Sequence, residues 1–268
     1  MTFFRFLFDC AGQGLKGGRL YWGWLAILGL VVLQGLFAYV FQLQHGLQVS
    51  AMTDHVPWGV YIANFSFLDG IAASTSLLLI AAFVFDRTYA RRVAMLGAGI
   101  AVAASFACML FVFVDLGRPE RAWHLAPVLG SLNWPVSMLA WDVVALNGYL
   151  MINLLVPMHV LYTQWKGEPL KARNYFIAAI IAIAWAILVQ SIIAFLFSAN
   201  VGRAFWHTAL LGPRFLASSF TAGPAAMILA FRWIDRHTTF QVDQRMIRYL
   251  ALIAAVALQI NLFMVFNE

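Results

Sequence analysis

Seven apolar stretches, near 21–43, 57–85, 93–115, 136–162, 175–199, 210–234 and 247–266, constrain this chain more than any other feature. Each is long enough, as a helix, to cross a bilayer hydrocarbon core, which takes about 20 residues. No water reaches that core, so every backbone N–H and C=O must be satisfied within the segment, and a helix does this. The remaining composition agrees. The 268 residues are 63% hydrophobic and 10% charged, where soluble domains carry about 25% charged residues. The expected fold is an all-α integral membrane protein with seven transmembrane helices. Met1 to Arg19 has no apolar run followed by small residues, so no cleavable signal peptide is expected there.

The expected organisation is an amphipathic N-terminal segment, 1–20, and a transmembrane helical domain, 21–268. Phe3-Phe4-Arg5-Phe6-Leu7-Phe8 followed by a Gly-rich turn through Gly18 reads as a helix lying along the membrane surface. The net charge of +6 does not point to nucleic acid, because the basic residues sit in short clusters between the apolar runs. Of the 17 Lys and Arg, all but Arg118, Arg121, Arg203 and Arg214 fall in the N-terminal segment and every second loop. The positive-inside rule then puts the N-terminus in the cytoplasm and the 44–56, 116–135 and 200–209 segments outside. The expected location is a bacterial or archaeal cytoplasmic membrane. Cys10 and Cys108 lie far apart and support neither a disulfide framework nor a cluster site.

Trp58 precedes Phe67-Leu68 by the interval that separates Trp206 from Phe215-Leu216, and both tryptophans open inward-running helices. Either this is the ordinary interfacial preference of Trp, or a four-helix unit is repeated in parallel. On the second reading the repeat starts again at the sixth stretch, and its second unit is incomplete within these residues.

Ionisable side chains at membrane depth are costly and are functional candidates by default. Asp69 lies twelve residues after Pro57, about 18 Å down the second helix. Asn64 is five residues nearer the outer surface. Asp142 lies seven residues after Pro135, about 10 Å into the fourth helix. Asn133 is a candidate N-cap for that helix. Gln190 and Ser191, on the fifth helix, reach a similar outer level. The alternative for Asn64, Gln190 and Ser191 is plain helix–helix hydrogen bonding; for Asp69 it is a protonated packing role.

The outer loops carry a second set: Asp115 and Arg118, expected to pair at a helix end, then Trp123 and His124, and farther on Arg203, Trp206 and His207. All six histidines lie in loops or near helix ends, which argues against the paired axial ligands of a membrane haem protein. No P-loop, H-E-x-x-H or strand-following G-x-G-x-x-G is present. The chain is therefore expected to hold no haem, iron–sulfur cluster or metal of its own.

Pro57-Trp58-Gly59-Val60-Tyr61-Ile62-Ala63 opening the second helix, Asp115-Leu116-Gly117-Arg118 closing the third, and Trp206-His207 with Pro213 before the sixth resemble the NrfD-like family. That family includes the polysulfide reductase membrane subunit, and the layout is most similar to its longer branch of HmcC-, DsrP- and HybB-like subunits. The resemblance implies a quinone or quinol site near the outer face, with menaquinone or ubiquinone as substrate. It also implies electron exchange with an adjacent iron–sulfur subunit on the outer face, with a multihaem cytochrome among the further candidates. By position, Asn64 falls in the helix that lines the family's quinone pocket and Gln190 in another helix of the same unit. The shorter members have eight helices and the longer branch about ten, so seven departs from both.

The leading expectation is a membrane quinone/quinol-interacting subunit of a respiratory oxidoreductase complex. Asp69, Asp142 and His207 handle protons; Trp58, Asn64, Gln190, Ser191, Arg203 and Trp206 bind the quinone. One alternative is a proton- or ion-translocating transporter-like module, which also places carboxylates at the midplane. Against it, a Gly/Pro break is expected only at Gly223-Pro224 in the sixth helix. The other alternative, a passive membrane anchor, has no use for Asp69.

Overall fold

The computed structural model describes residues 2–53, 58–126, 130–168, 172–200 and 203–268, and every long element among them is helical. After α1 (Thr2–Gly14) come α2 (Arg19–His45), α3 (Val60–Val84), α4 (Thr88–Asp115), α5 (Met138–Trp165), α6 (Ala172–Ser198), α7 (Leu211–His237) and α8 (Gln244–Asn267). Among the described residues, helices α2 to α8 are the seven spans long and apolar enough to cross a membrane. Short 3₁₀ turns sit at Leu47–Ser50, Pro119–Leu125 and Ala204–Trp206. The chain forms two compact units, Met1–Gly59 with Met158–Leu170, and Val60–Pro157 with Lys171–Glu268.

In the first unit, α1 is amphipathic and places Phe3 and Phe6, three residues apart, on one face. Both rings meet Tyr162 edge-on, at 5.5 and 5.3 Å between centroids, and Phe6 also meets Trp165 at 6.0 Å. The Trp165 indole N–H donates to Asp9 Oδ2 over 3.2 Å. Helix α2 is apolar on every side and none of its most apolar stretch is buried, as suits a helix whose solvent is lipid.

In the second unit, α3 is the most enclosed span. Its first half shares a core with α4, α5 and α6 through Phe65, Ala72, Ala73, Cys108, Tyr149 and Val189. Its second half joins α4, α7 and α8 through Leu78, Ala82, Val93, Phe231, Met246 and Leu250. Small residues make this close packing possible. A Cβ on Gly70 would lie 2.9 Å from Ser219 Oγ, and one on Gly223 only 1.6 Å from Ser74 Oγ. Gly70 and Ser74 on α3 thus interlock with Ser219 and Gly223 on α7, and the two helices run in the same direction.

The α3 span is not one regular helix. Ser74 and Thr75 turn their hydroxyls back onto the carbonyls of Ile71 and Ala72, at 2.7 and 2.8 Å. Hydroxyls of this kind compete with the backbone ladder. At Thr75 the ladder tightens to three-residue steps, Thr75 N–H to Ala72 O and Leu78 N–H to Thr75 O. It then loosens into a π turn over Ile80–Val84, where the Phe85 N–H reaches Ile80 O. The Arg91 side chain donates to the Ala82 carbonyl within that turn.

Three sequence expectations change here. Helix α7 runs unbroken through Gly223-Pro224, so the irregular span is α3, where Ser and Thr hydroxyls rather than Pro disturb the backbone. Asn133 has a positive φ of 51° and does not cap α5; that helix begins at Met138, with Ser137 Oγ accepting from the Ala140 N–H at 3.4 Å. Asp115 leaves Oδ1 without a partner among the described residues, and the expected ion pair with Arg118 is not formed there.

Candidate functional site

Asp69 lies nine residues into α3, about 14 Å along it; Pro57 lies outside the described residues. The Asp69 side chain is fully buried. A carboxyl at that depth must find hydrogen-bond donors within the protein. Gln190, itself 1% exposed on α6, donates its amide N–H to Asp69 Oδ2. The other end of the same amide, Oε1, accepts from Ser219 Oγ on α7 at 2.9 Å. Ser219 can also turn to its own helix, at Phe215 O, 2.7 Å away. One polar chain therefore ties α3, α6 and α7 together.

Asp142 comes from α5. The later start of that helix leaves it four residues in, about one turn rather than two, yet it is 1% exposed. The Asp69 and Asp142 carboxyls are near enough to act on each other electrostatically. Cys108, on α4, lies within the same field and points its thiol at the Phe65 carbonyl over 3.4 Å. Farther along, the Tyr149 hydroxyl donates to Ala72 O at 3.0 Å, and Asn153 donates to Tyr149 O at 2.9 Å. Both sit beside the irregular turn of α3.

The structure thus brings Asp69, Asp142 and Gln190 into one buried cluster. The other residues singled out from the sequence lie elsewhere. Asn64 is half-buried and donates to its own helix at Val60 O, 2.9 Å. Ser191 likewise bonds Ile187 O. Trp206 packs on Phe197 of α6 at 5.0 Å, with the Arg203 guanidinium over its ring at 5.8 Å. His207 is exposed just beyond them. Trp58 belongs to the first compact unit. Ser219, Cys108 and Tyr149 escape a reading of the sequence: a Ser, Cys or Tyr within an apolar run carries no periodicity that separates a network member from a back-bonded packing residue.

A cleft of about 290 Å³ opens between α3, α7 and α8, lined by Ser66, Gly70, Arg214, Ser218, Ser219 and Asn261 among others. Arg214 forms an ion pair with Glu268 there, while its Nε finds no partner among the described residues. Ser219 belongs both to the cleft wall and to the chain that ends on Asp69. Among the described residues, no group of three or more His, Cys, Asp or Glu is placed to hold a metal ion.

Residues 48–267 match the family described as polysulphide reductase, NrfD. The chain belongs to the NrfD family. This NrfD chain is 28% identical over 242 residues to a membrane subunit of the putative dimethyl sulfoxide reductase of Halobacterium salinarum, covering 85% of the chain and 55% of that relative. It is 26% identical over 235 residues to the Hdr-like menaquinol oxidoreductase integral membrane subunit of Archaeoglobus fulgidus, covering 88% and 56%. A third relative, a subunit of the selenate reductase of Mesobacillus selenatarsenatis, is 29% identical over 133 residues, covering 50% of the chain and 30% of that protein. The NrfD chain spans about half the length of the first two relatives.

Proposed function

We propose that this NrfD-family chain is the quinone/quinol-interacting membrane subunit of an oxidoreductase complex. The observation that carries the reading is the fully buried Asp69 carboxyl, held by Gln190 with a second carboxyl, Asp142, within its field. A passive anchor has no use for such a pair, and burying it is costly. The relative from Archaeoglobus fulgidus, named a menaquinol oxidoreductase subunit, supports the same substrate class.

In the oxidative direction, a quinol loses two protons and two electrons. Its two O–H bonds break, the electrons pass to an adjacent iron–sulfur subunit on the outer face, and the protons need acceptors. Asp69 and Asp142 serve inside the bundle and His207 at the surface. The headgroup of a menaquinone or ubiquinone sits at the outer level of α3 to α6 and contacts Asn64 or Gln190, while Ser191, Arg203 and Trp206 frame its approach. The N-terminus lies in the cytoplasm, in a bacterial or archaeal cytoplasmic membrane, and a multihaem cytochrome is a candidate further subunit.

A second reading has one observation in its favour. The interruption of α3 beside Thr75 resembles the broken helices of ion-translocating modules. Purification of the tagged protein from its native membrane separates the two. A co-purifying iron–sulfur protein and a quinone analogue seated at the outer ends of α3 to α6 are expected. No iron–sulfur partner, or an analogue at the cytoplasmic ends, overturns the quinone reading.

A further inference from the structure

Hydroxyls in the middle of these helices normally settle on the carbonyl one turn back. Ser191 does so at Ile187 O, Ser219 at Phe215 O and Thr221 at Ala217 O, each within 2.8 Å. Ser105, in the middle of α4, does not. It is 0% exposed, and its Oγ has no partner among the described residues.

The register between α3 and α4 says where that hydroxyl lies. Cys108 meets Phe65, and a Cβ on Gly97 would meet Leu78. The helices are therefore antiparallel, and four residues on from Phe65 is matched by three back from Cys108. Ser105 stands across from Asp69. The Asp142 level follows from α5, where Tyr149 reaches Ala72: seven residues earlier on each helix, Asp142 is level with Phe65 and Cys108, one turn from Asp69. Two further oxygens there also lack partners among the described residues, Asp69 Oδ1 and Asp142 Oδ1. Asp69 Oδ2 is already engaged by Gln190, and Phe65 O by Cys108.

We propose that Ser105, Asp69 and Asp142 enclose an internal water molecule, and that Ser105 is a positioning residue for proton transfer between the two carboxyls. Three oxygens from three helices match the two to four polar partners that a buried water requires. The step is a proton relay with no change of oxidation state. A carboxylic O–H of one aspartic acid breaks as the water oxygen takes that proton, and a water O–H breaks as its proton joins the other carboxylate. Ser105 holds the water oxygen in line for both events. Its role rests on the proton-handling reading of Asp69 and Asp142; the water itself does not.

The test is infrared difference spectroscopy on the purified complex, triggered by a change of pH rather than by quinol, in ordinary water and in ¹⁸O-water. An O–H band that shifts in ¹⁸O-water, disappears in Asp69→Asn and in Ser105→Ala, and returns in Ser105→Thr is the expected result. Quinol-linked turnover should fall about tenfold in Ser105→Ala and recover in Ser105→Thr, a smaller loss than the roughly hundredfold or more expected when the proton-transferring group itself is removed. Absence of an isotope-sensitive band overturns the proposal. So does a Ser105→Thr protein as impaired as Ser105→Ala, which would make Ser105 a matter of packing. If the band behaves as expected but the complex turns over no quinol, the water site stands and the quinone reading falls.

Discussion

Gln190 and Asp69, 121 residues apart in sequence, meet in the most enclosed part of the membrane domain, amide to carboxylate, both of them buried. The contact fixes the amide's orientation, because its carbonyl end is taken by Ser219. Gln190 thus joins α6 to α3 through Asp69 and to α7 through Ser219.

Replacing Asp69 by Asn keeps the size and most of the hydrogen bonding but removes the exchangeable acid. Quinol-linked electron transfer should fall by about a hundredfold while the assembled complex survives, at the lower end of what general acid–base catalysis supplies. Steady-state turnover of membranes holding equal amounts of the protein measures this. Turnover within about twofold of the parent, or loss of the protein from the membrane, counts against a proton role.

The coupling of Gln190 to Asp69 is open to a double-mutant cycle. Gln190→Leu strands Asp69 Oδ2, while Ser219 keeps the Phe215 carbonyl, and should cost about 1–3 kcal/mol in thermal unfolding of the detergent-solubilised complex. In an Asp69→Asn background the loss should be smaller, with a coupling of at least about 0.5 kcal/mol. Strict additivity would mean the two side chains do not depend on each other.

Two glycines in tight contacts should behave differently when changed to Ala. At Gly223 the new Cβ would meet Ser74 Oγ at 1.6 Å and Ser74 Cβ at 2.3 Å, on the near side of a short residue. At Gly97 it would meet the far end of Leu78, Cδ1 at 2.2 Å, which can rotate away. Gly223→Ala should therefore cost about 1–3 kcal/mol, and Gly97→Ala clearly less, by the shift in unfolding midpoint. Equal losses would argue that the α3–α7 contact yields as easily as a leucine rotamer.

Phe6 is the side chain that seats α1 on the end of α5, and it is 3% exposed. Phe6→Ala should weaken that seat by about 3 kcal/mol, the low end for a buried Phe. Cys10 is exposed on the same helix and Cys108 is buried, so a spin label reports on α1 alone. Its mobility should rise in the variant. An unchanged spectrum would show that α1 is held by something other than its aromatic face.

The seven spans are legible in the sequence because lipid demands long uninterrupted apolar runs, and nothing else of this length is written that way. Asp69, Asp142 and Gln190 stand out for a related reason: an ionisable or amide group inside such a run is conspicuous. The irregular course of α3 is not legible. Ser74 and Thr75 look like ordinary small residues, and their effect depends on which way the hydroxyls turn. Asn133 reads as a cap because Asn and Pro often open helices, but a positive φ sends its backbone elsewhere. The far end of the polar chain from Asp69 is hidden too, since Ser219 differs from a packing serine only in what stands opposite it.

The interlock of α3 and α7 has a geometric corollary. Gly70 meets Ser219 and Ser74 meets Gly223, so one sequence interval relates both contacts, within a residue of the interval between Trp58 and Trp206. Two parallel helices touching at equivalent positions behave as halves of a symmetric dimer, with the rotation axis running down the line of contact. Apply that rotation to the residues that Gln190 bridges: Asp69 falls on Ser218, and Ser219 falls on Gly70. Both images line the cleft beside α8. The groove that holds α6 and the cleft are therefore related positions in sequence, although α3 is irregular past Ser74 and α7 is not. Asp69 stands on one side where Ser218 stands on the other, so the symmetry of the scaffold is broken at this pair of positions by the exchange of a carboxyl for a hydroxyl.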